Sequence, residues 1–221
     1  MGLFYYVANT AMQALLIALT RWRVEGRENV PRKGPVIVVS NHMTYVDPPL
    51  LGASVPRRIT FMAKEELFGL SPLGLVVRAY GAFPVSRSGV DRTALRRALE
   101  ILKKGGVLGM FPEGKRSLSY KLQEAQPGTA FIAARSGAPI VPVGITGTEK
   151  VKGISFILRR PSIVVKIGRP FTIQSNESNE QRRSGLAQQA DLITRRIAEL
   201  LPPSYRSNVP YNNSQGSADE N

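Results

Sequence analysis

Apolar runs alternate along the chain with amphipathic segments, in the order expected of alternating strands and helices. Residues 36–39 form an uninterrupted β-branched run, which is typical of a strand buried on both faces of a parallel sheet. Residues 88–104 repeat leucine at helical spacing, and two glycines follow as a helix stop. We expect further strands at 58–62, 82–85, 107–111 and 140–145, and further helices from Pro72, from Pro127 and over 181–201. This alternation predicts a single-domain αβ sandwich around a mixed, mostly parallel sheet.

The N-terminal segment carries no charge from Leu3 to Thr20, and Arg21-Trp22-Arg23 follows it. As a helix, its eighteen residues reach ~27 Å, just short of a hydrocarbon core of ~30 Å. Asn9, Gln13 and Thr20 give this helix a thin polar stripe. Three interpretations stay open: a helix lying in the membrane interface, which the aromatic and arginine flanks favour, a marginal span, or a core helix of a soluble protein. A cleaved signal peptide is disfavoured, because the basic residues follow the apolar stretch.

The charge balance narrows the class of partner. The chain has 30 Lys or Arg against 16 Asp or Glu, a formal net charge of +14, which predicts nucleic acid, an anionic membrane surface or phosphorylated substrates. We disfavour nucleic acid, because no recognisable binding module accompanies the charge. The acid-free stretch 150–170 is expected to form strands with a basic outer rim. The absence of cysteine excludes disulfides, thiolate metal sites and a cysteine nucleophile.

The single histidine of the chain, His42, is followed five positions later by Asp47. Histidine is the default proton carrier in catalysis, because its ordinary pKa lies near neutrality. His42 is expected just past the carboxyl end of a strand, where open α/β sheets bind ligands. There the carboxylate could accept a hydrogen bond from the imidazole and leave the other ring nitrogen free as a base. In the alternative interpretation Asp47 only caps a helix that opens at Pro48-Pro49, and His42 is a polar loop residue.

Three further blocks follow the histidine block: Gly-Ala-Phe-Pro-Val-Ser-Arg at 81–87, Phe-Pro-Glu-Gly-Lys-Arg-Ser at 111–117 and Ala-Pro-Ile-Val-Pro-Val at 138–143. In this order and spacing, the four blocks resemble the glycerolipid acyltransferase family that includes 1-acyl-glycerol-3-phosphate acyltransferases. The resemblance runs from about Trp22 to Phe171. Its most specific parts are the histidine block and the block at 111–117. Lys115 departs from the family pattern, which often has threonine there.

The resemblance implies transfer of a fatty acyl group from acyl-CoA or acyl-carrier protein to the free hydroxyl of a lysophospholipid. The expected acceptor is 1-acyl-glycerol-3-phosphate, which gives phosphatidic acid. No enzyme nucleophile stands beside His42, since Ser40 lies on the strand, so we expect direct transfer between two bound substrates. We expect neither a cofactor nor a metal. The protein is expected at the cytoplasmic face of the cell membrane, as a peripheral or monotopic protein.

With the acceptor implied by the resemblance, we assign three cations to its phosphate: Lys64, Arg87 and Arg116. A guanidinium binds phosphate bidentately and thereby fixes the acceptor hydroxyl relative to the base. We expect Glu113 to orient Arg116 or to hydrogen-bond the glycerol hydroxyls of the acceptor, and Gly114 to allow close backbone approach. Alternatively, residues 112–114 form an ordinary turn, and Arg87 and Lys64 are solvated surface cations.

Two rival classes of function stay open beside acyl transfer to this acceptor or another lysolipid. A thioesterase or other hydrolase would use the same His-Asp pair with water as the acceptor. A nucleic-acid or membrane-binding protein without catalysis would not need His42 at all.

The chain divides by composition into three parts. Residues 1–23 are expected to form the membrane-associated helix, and 24–201 the acyltransferase domain. From Pro202 onward serine, asparagine, glutamine and glycine dominate, which predicts a disordered tail over 202–221.

Overall fold

Seven strands form one mixed sheet in the described part of the chain. The computed structural model describes residues 2–69, 72–86, 89, 91–173 and 182–206, without the side chains of 2, 3, 72, 73 and 182–184. The strands are β1 (Arg21–Glu25), β2 (Val36–Ser40), β3 (Ile59–Lys64), β4 (Phe83–Val85), β5 (Val107–Met110), β6 (Ile140–Thr146) and β7 (Ser162–Ile167). The helices are α1 (Gly2–Leu19), α2 (Asp47–Ser54), α3 (Pro72–Ala79), α4 (Arg92–Lys103), α5 (Pro127–Ser136), α6 (Phe156–Arg159) and α7 (Arg182–Ala198).

The sheet has the strand order β1-β7-β6-β2-β5-β3-β4. The five strands from β6 to β4 run parallel, β7 is antiparallel to β6, and β1 runs parallel to β7. This sheet confirms the predicted fold class. Strand β2 lies at its centre, between β5 and β6, and every one of its residues is buried. The residues that follow β2 therefore leave the sheet at its middle.

Helices cover both faces of the sheet and form two cores. Val36 and Val38 of β2 belong to the core beneath α1 and α2, which also contains Leu50. Ile37 and Val39 point to the opposite core, beneath α4, α5 and α7. Successive side chains of a strand alternate between faces, so a β-branched run can fill both cores. Each such side chain contributes about 1.5–3 kcal/mol by its burial.

Three parts of the fold differ most from the sequence expectations. Strand β1 was not predicted, because its alternation of exposed arginines with half-buried residues is that of an edge strand, and the expected boundary at residue 23 falls inside it. Helix α4 begins at Arg92 rather than at 88, since the Asp91 side chain accepts hydrogen bonds from the backbone N–H groups of Thr93 and Ala94. The expected run of strands over 150–170 contains the short helix α6 before β7.

The N-terminal segment is helical, as predicted, and packs on the domain through a face that carries both polar and apolar side chains. The side-chain amide of Gln13 donates to the carbonyl of Ala53 in α2, and Thr20 is buried. Tyr5 and Leu16 complete this inner face within the core. Among the residues that the structure describes, none of the helices combines the length and the apolar character that crossing a membrane requires.

The first residues of the predicted tail pack on the domain. Residues 203–205 form a turn of 3₁₀ helix. The hydroxyl of Tyr205 donates to Glu149, and its carbonyl accepts a hydrogen bond from the backbone of Leu122. The ring of Tyr205 packs against the core, so these residues depart from the disorder that their polar composition predicts. Residues 207–221 of the predicted tail lie outside the described residues.

Candidate functional site

The candidate site begins where β2 leaves the centre of the sheet. Asn41, the first residue after β2, is buried, and its side-chain amide donates to the carbonyl of Ile145 at 2.9 Å. The backbone N–H of Ile145 donates back to the Asn41 side-chain oxygen at 2.8 Å. This pair of bonds fixes the end of β2 to β6. The next residue, His42, therefore starts from a rigid position at the carboxyl edge of the sheet.

His42 and Asp47 are in contact, as the sequence predicts. The Nδ1 atom of His42 lies 3.1 Å from Oδ2 of Asp47, which is fully buried, while the imidazole is partly exposed. A buried carboxylate in this position favours the tautomer that carries its proton on Nδ1. The Nε2 atom is then the ring nitrogen that can accept a proton, which is the geometry of a general base.

The Asp47 carboxylate turns back on the loop before it and does not cap α2. Its Oδ2 atom accepts hydrogen bonds from the backbone N–H groups of Met43 at 2.6 Å and Thr44 at 2.7 Å. Asp47 is itself the first residue of the helix, after the N-cap Val46. The interpretation of Asp47 as a helix cap is therefore wrong. Two features explain it: Pro49 has no N–H group, and the N–H of Leu50 already donates to the carbonyl of Val46.

Thr148 is a site residue that sequence analysis missed. Its hydroxyl donates to Oδ1 of Asp47 at 2.7 Å, and its side chain is fully buried. The Thr44 hydroxyl donates to the same oxygen at 3.1 Å. Thr148 lies just after β6, at the same sheet edge as His42, and that placement was the available signal. With five hydrogen-bonding partners in all, the carboxylate is held in one orientation.

Glu113 holds the backbone of His42. Its Oε1 atom accepts a hydrogen bond from the N–H of His42 at 2.8 Å, and Oε2 accepts one from Gln123 at 3.3 Å. Burial raises the pKa of Glu113 to about 8, although both hydrogen bonds lower it, and the nearby Asp47 raises it further. The expectation that Glu113 orients Arg116 is wrong, because the carboxylate is buried beneath the His42 loop instead.

The segment 111–117 encloses His42 on further sides. The ring of Phe111 stacks on the imidazole, with 4.2 Å between ring centroids. The backbone N–H of Ser117 donates to the carbonyl of His42 at 2.8 Å. Residues 111–114 do form a turn, in which Gly114 has a φ of 70° that favours glycine. Residues 111–114 therefore form a turn, and Glu113 within that turn also contacts the site.

The three predicted phosphate ligands have different outcomes. Arg116 joins the His42 loop, since it donates a hydrogen bond to the Tyr45 hydroxyl at 2.9 Å and its guanidinium lies 3.7 Å from the centroid of that ring. Lys64 ends β3 at the same edge of the sheet and forms an ion pair with Glu66. Arg87 lies outside the described residues. In the part of the chain that is described, no three His, Cys, Asp or Glu residues cluster in a way that could hold a metal ion.

Glu113 should make the stability of the protein depend on pH. Its pKa is about 8 in the folded protein, whereas an ordinary glutamate has 4.5, so between these values only the folded state keeps the proton. The free energy of unfolding should therefore fall by up to about 4 kcal/mol as the pH rises through this window. Glutamine cannot titrate. In Glu113→Gln the free energy of unfolding, measured by urea, should therefore fall clearly less between pH 5 and pH 8.5.

The exposed Glu124 provides the matched control. Glu124→Gln should keep the slope of the wild-type protein. A Glu113→Gln variant whose stability falls in parallel with the wild type would contradict the raised pKa.

Comparison with known proteins identifies relatives over most of the chain. Residues 21–146 match the sequence model of a family described as Acyltransferase. The 1-acyl-sn-glycerol-3-phosphate acyltransferase of Bacillus subtilis is 28% identical over 200 residues, which cover 90% of this chain and 96% of that protein. The chloroplastic 1-acyl-sn-glycerol-3-phosphate acyltransferase LPAT1 of Arabidopsis thaliana is 30% identical over 198 residues, which cover 85% of this chain. The match covers 54% of the plant protein, so this chain spans about half the length of such relatives.

A solved structure shares the fold. The crystal structure of the 1-acyl-sn-glycerophosphate (LPA) acyltransferase PlsC from Thermotoga maritima superposes with a TM-score of 0.65 at 27% sequence identity. The superposition covers 89% of this chain and 79% of that one, and therefore includes most of the sheet and its helices.

Proposed function

Because this chain belongs to the acyltransferase family, we propose that it moves a fatty acyl group from an acyl thioester to the free hydroxyl of a lysophospholipid. The proposed acceptor is 1-acyl-glycerol-3-phosphate and the product is phosphatidic acid, in agreement with the names of the bacterial and plant relatives. The observation that carries the proposal is the contact of the His42 imidazole with the buried carboxylate of Asp47 at the sheet edge.

In the proposed reaction His42 acts as the general base. Its Nε2 atom takes the proton of the acceptor hydroxyl, and the oxygen attacks the carbonyl carbon of the thioester. The new C–O bond forms, the C–S bond breaks, and the leaving thiolate takes up the proton from the imidazolium. Asp47 stabilises the imidazolium between these steps. Ser40 is fully buried and donates to the carbonyl of Asn41, which supports direct transfer without an acyl-enzyme.

Arg116 is the proposed ligand of the acceptor phosphate. Its stacking on Tyr45 beside the His42 loop restricts the guanidinium, so less conformational entropy is lost when phosphate binds. Lys64 and Arg87 are proposed as further phosphate contacts. Acyl-CoA and acyl-carrier protein both remain proposed donors, and both carry phosphate of their own.

The outer face of α1 supports association with a membrane surface. In a helix on the surface of a soluble protein, the apolar residues face the core. Tyr5 and Leu16 of α1 do so, but further large apolar side chains point outward and are more than half exposed: Phe4, Val7, Leu15 and Ile17. This second, outer apolar face suits a helix that lies in the bilayer interface. We propose peripheral association with the cytoplasmic face of the membrane.

The proposal is tested by product formation. The purified protein is given radiolabelled 1-acyl-glycerol-3-phosphate with acyl-CoA or with acyl-carrier protein, and phosphatidic acid is separated and counted. We expect product with at least one donor, and a lower rate with acceptors that lack phosphate. If neither donor gave acylated product with any of several lysolipids, the proposed activity would be wrong.

Replacing Arg116 should weaken binding of the acceptor more than it slows the chemistry. In Arg116→Ala the phosphate loses a charge-assisted hydrogen bond, worth about 1.5–3 kcal/mol, so we expect KM for 1-acyl-glycerol-3-phosphate to rise roughly ten- to a hundredfold. The KM for the acyl donor should change less. Arg116→Lys keeps the charge but loses the planar guanidinium. Its KM for the acceptor should lie between those of the wild type and of Arg116→Ala. An equal loss with an acceptor that lacks phosphate would show that Arg116 is structural.

A further inference from the structure

The segment between β6 and β7 carries the two large apolar side chains with the highest exposed fractions in the described residues. Ile154 is 84% exposed and Leu158 is 89% exposed. Lys152, Arg159 and Arg160 lie beside them, and residues 150–160 contain no acidic side chain. We refer to residues 150–160 as the basic-apolar loop. Aliphatic side chains are rarely this exposed together, unless the surface meets an apolar partner.

The basic-apolar loop is attached to α1, the proposed membrane helix. The Arg160 guanidinium donates to the carbonyl of Ile17 at 3.0 Å, and the Arg21 side chain donates to the carbonyl of Arg160 at 3.1 Å. Ile17 belongs to the exposed apolar face of α1. These bonds hold the loop against the carboxyl end of α1.

The other end of the loop is attached to the His42 site. The backbone N–H of Val151 donates to the carbonyl of Thr148, the residue whose hydroxyl binds Asp47. The Lys152 ammonium lies 4.6 Å from the ring centroid of Tyr120, just beyond the segment 111–117. Leu118, in the same region, is 83% exposed. The loop therefore links the outer face of α1 to the rim of the site.

We propose that the basic-apolar loop is a second membrane-contact surface, which inserts Ile154 and Leu158 into the interface of an anionic bilayer. Its cations fit the negative headgroups, and its aliphatic side chains fit the acyl boundary beneath them. With α1 it gives two points of contact, which fix the orientation of the domain and hold the His42 site at the bilayer surface. The inference rests on the proposed function, in which acceptor and product are both bilayer lipids.

The absence of cysteine allows a direct test on the full chain. An environment-sensitive fluorophore is attached to Leu158→Cys, to Leu15→Cys on α1, or to Phe131→Cys, an exposed position of α5 on the opposite face of the sheet. With vesicles of phosphatidylcholine and phosphatidylglycerol, we expect a blue shift and a severalfold gain in emission at positions 158 and 15. The label at position 131 should not respond.

Removing cations from the basic-apolar loop provides the second part of the test. Lys152→Ala with Arg159→Ala should raise the concentration of anionic lipid needed for half of the response at 158, by about fivefold for each cation. Vesicles of phosphatidylcholine alone should likewise bind more weakly. An unchanged titration would overturn the assignment of these cations to anionic headgroups.

The outcomes separate this inference from its premise. A response at 15 without one at 158 overturns the second contact and keeps the membrane helix, whereas silence at both positions overturns both. A change at 158 that follows protein concentration without vesicles assigns the loop to a second copy of the chain instead. Acyl transfer to a short-chain, water-soluble lysophosphatidate by the same labelled proteins reports separately whether the proposed activity holds.

Discussion

Replacing His42 by alanine should lower the rate of acyl transfer by about 10²–10⁴-fold, the range that a general base contributes. The imidazole is the one group of its kind in the chain, and Asp47 holds its Nδ1 side so that Nε2 can take the proton of the acceptor. The loss should appear in kcat, measured as phosphatidic acid formed at saturating donor and acceptor, because the phosphate contacts are unchanged.

The fold should survive this substitution, since the backbone bonds of His42 to Glu113 and Ser117 do not involve the ring. Thermal unfolding should therefore remain cooperative, and lost stacking on Phe111 should lower the midpoint only slightly. Added imidazole should restore part of the activity of His42→Ala, because the free base can occupy the space of the missing ring. A variant with most of the wild-type activity would contradict the proposed mechanism.

Asp47→Asn should reduce kcat by a smaller factor than His42→Ala does, because the base itself is kept. The amide keeps the size of the carboxylate, and its oxygen can face the backbone N–H groups of Met43 and Thr44. Its NH₂ group then faces the hydroxyls of Thr44 and Thr148, which can turn to accept. The imidazole stays in place, but it loses the negative charge that stabilises its protonated form.

Asp47→Ala is the informative comparison. It leaves buried donors without a partner, and each costs about 1–3 kcal/mol, so this variant should also lose stability in urea unfolding. Asp47→Asn should unfold close to the wild-type midpoint while it loses activity. If both variants lost stability equally and kept kcat, Asp47 would serve the fold alone.

The parts of the fold that the sequence predicted are those with a strong local pattern. The β-branched run of β2 can be recognised because a central strand is buried on both faces. The contact between His42 and Asp47 could be predicted because the two residues lie only five positions apart in the sequence. Strand β1 was missed since an edge strand with exposed arginines gives little hydrophobic signal.

The remaining site contacts join residues that are distant in the sequence. Glu113 binds a backbone group 71 positions away, and Thr148 binds a carboxylate 101 positions away. Only the strand order brings these loops together, because β2 lies between β5 and β6 in space. The residues of the block at 111–117 were enough to predict a functional role. The direction of the Glu113 side chain was not predictable, because it depends on the His42 loop that packs against it.

The central claim is that the His42 site transfers an acyl group to a lipid hydroxyl rather than to water. The most direct measurement follows thiol release from acyl-CoA, with and without 1-acyl-glycerol-3-phosphate, together with the lipid products. Transfer predicts slow release without the acceptor, a marked acceleration when it is added, and one phosphatidic acid for each thiol. Equal rates in both conditions, with free fatty acid as the product, would contradict transfer and identify a hydrolase.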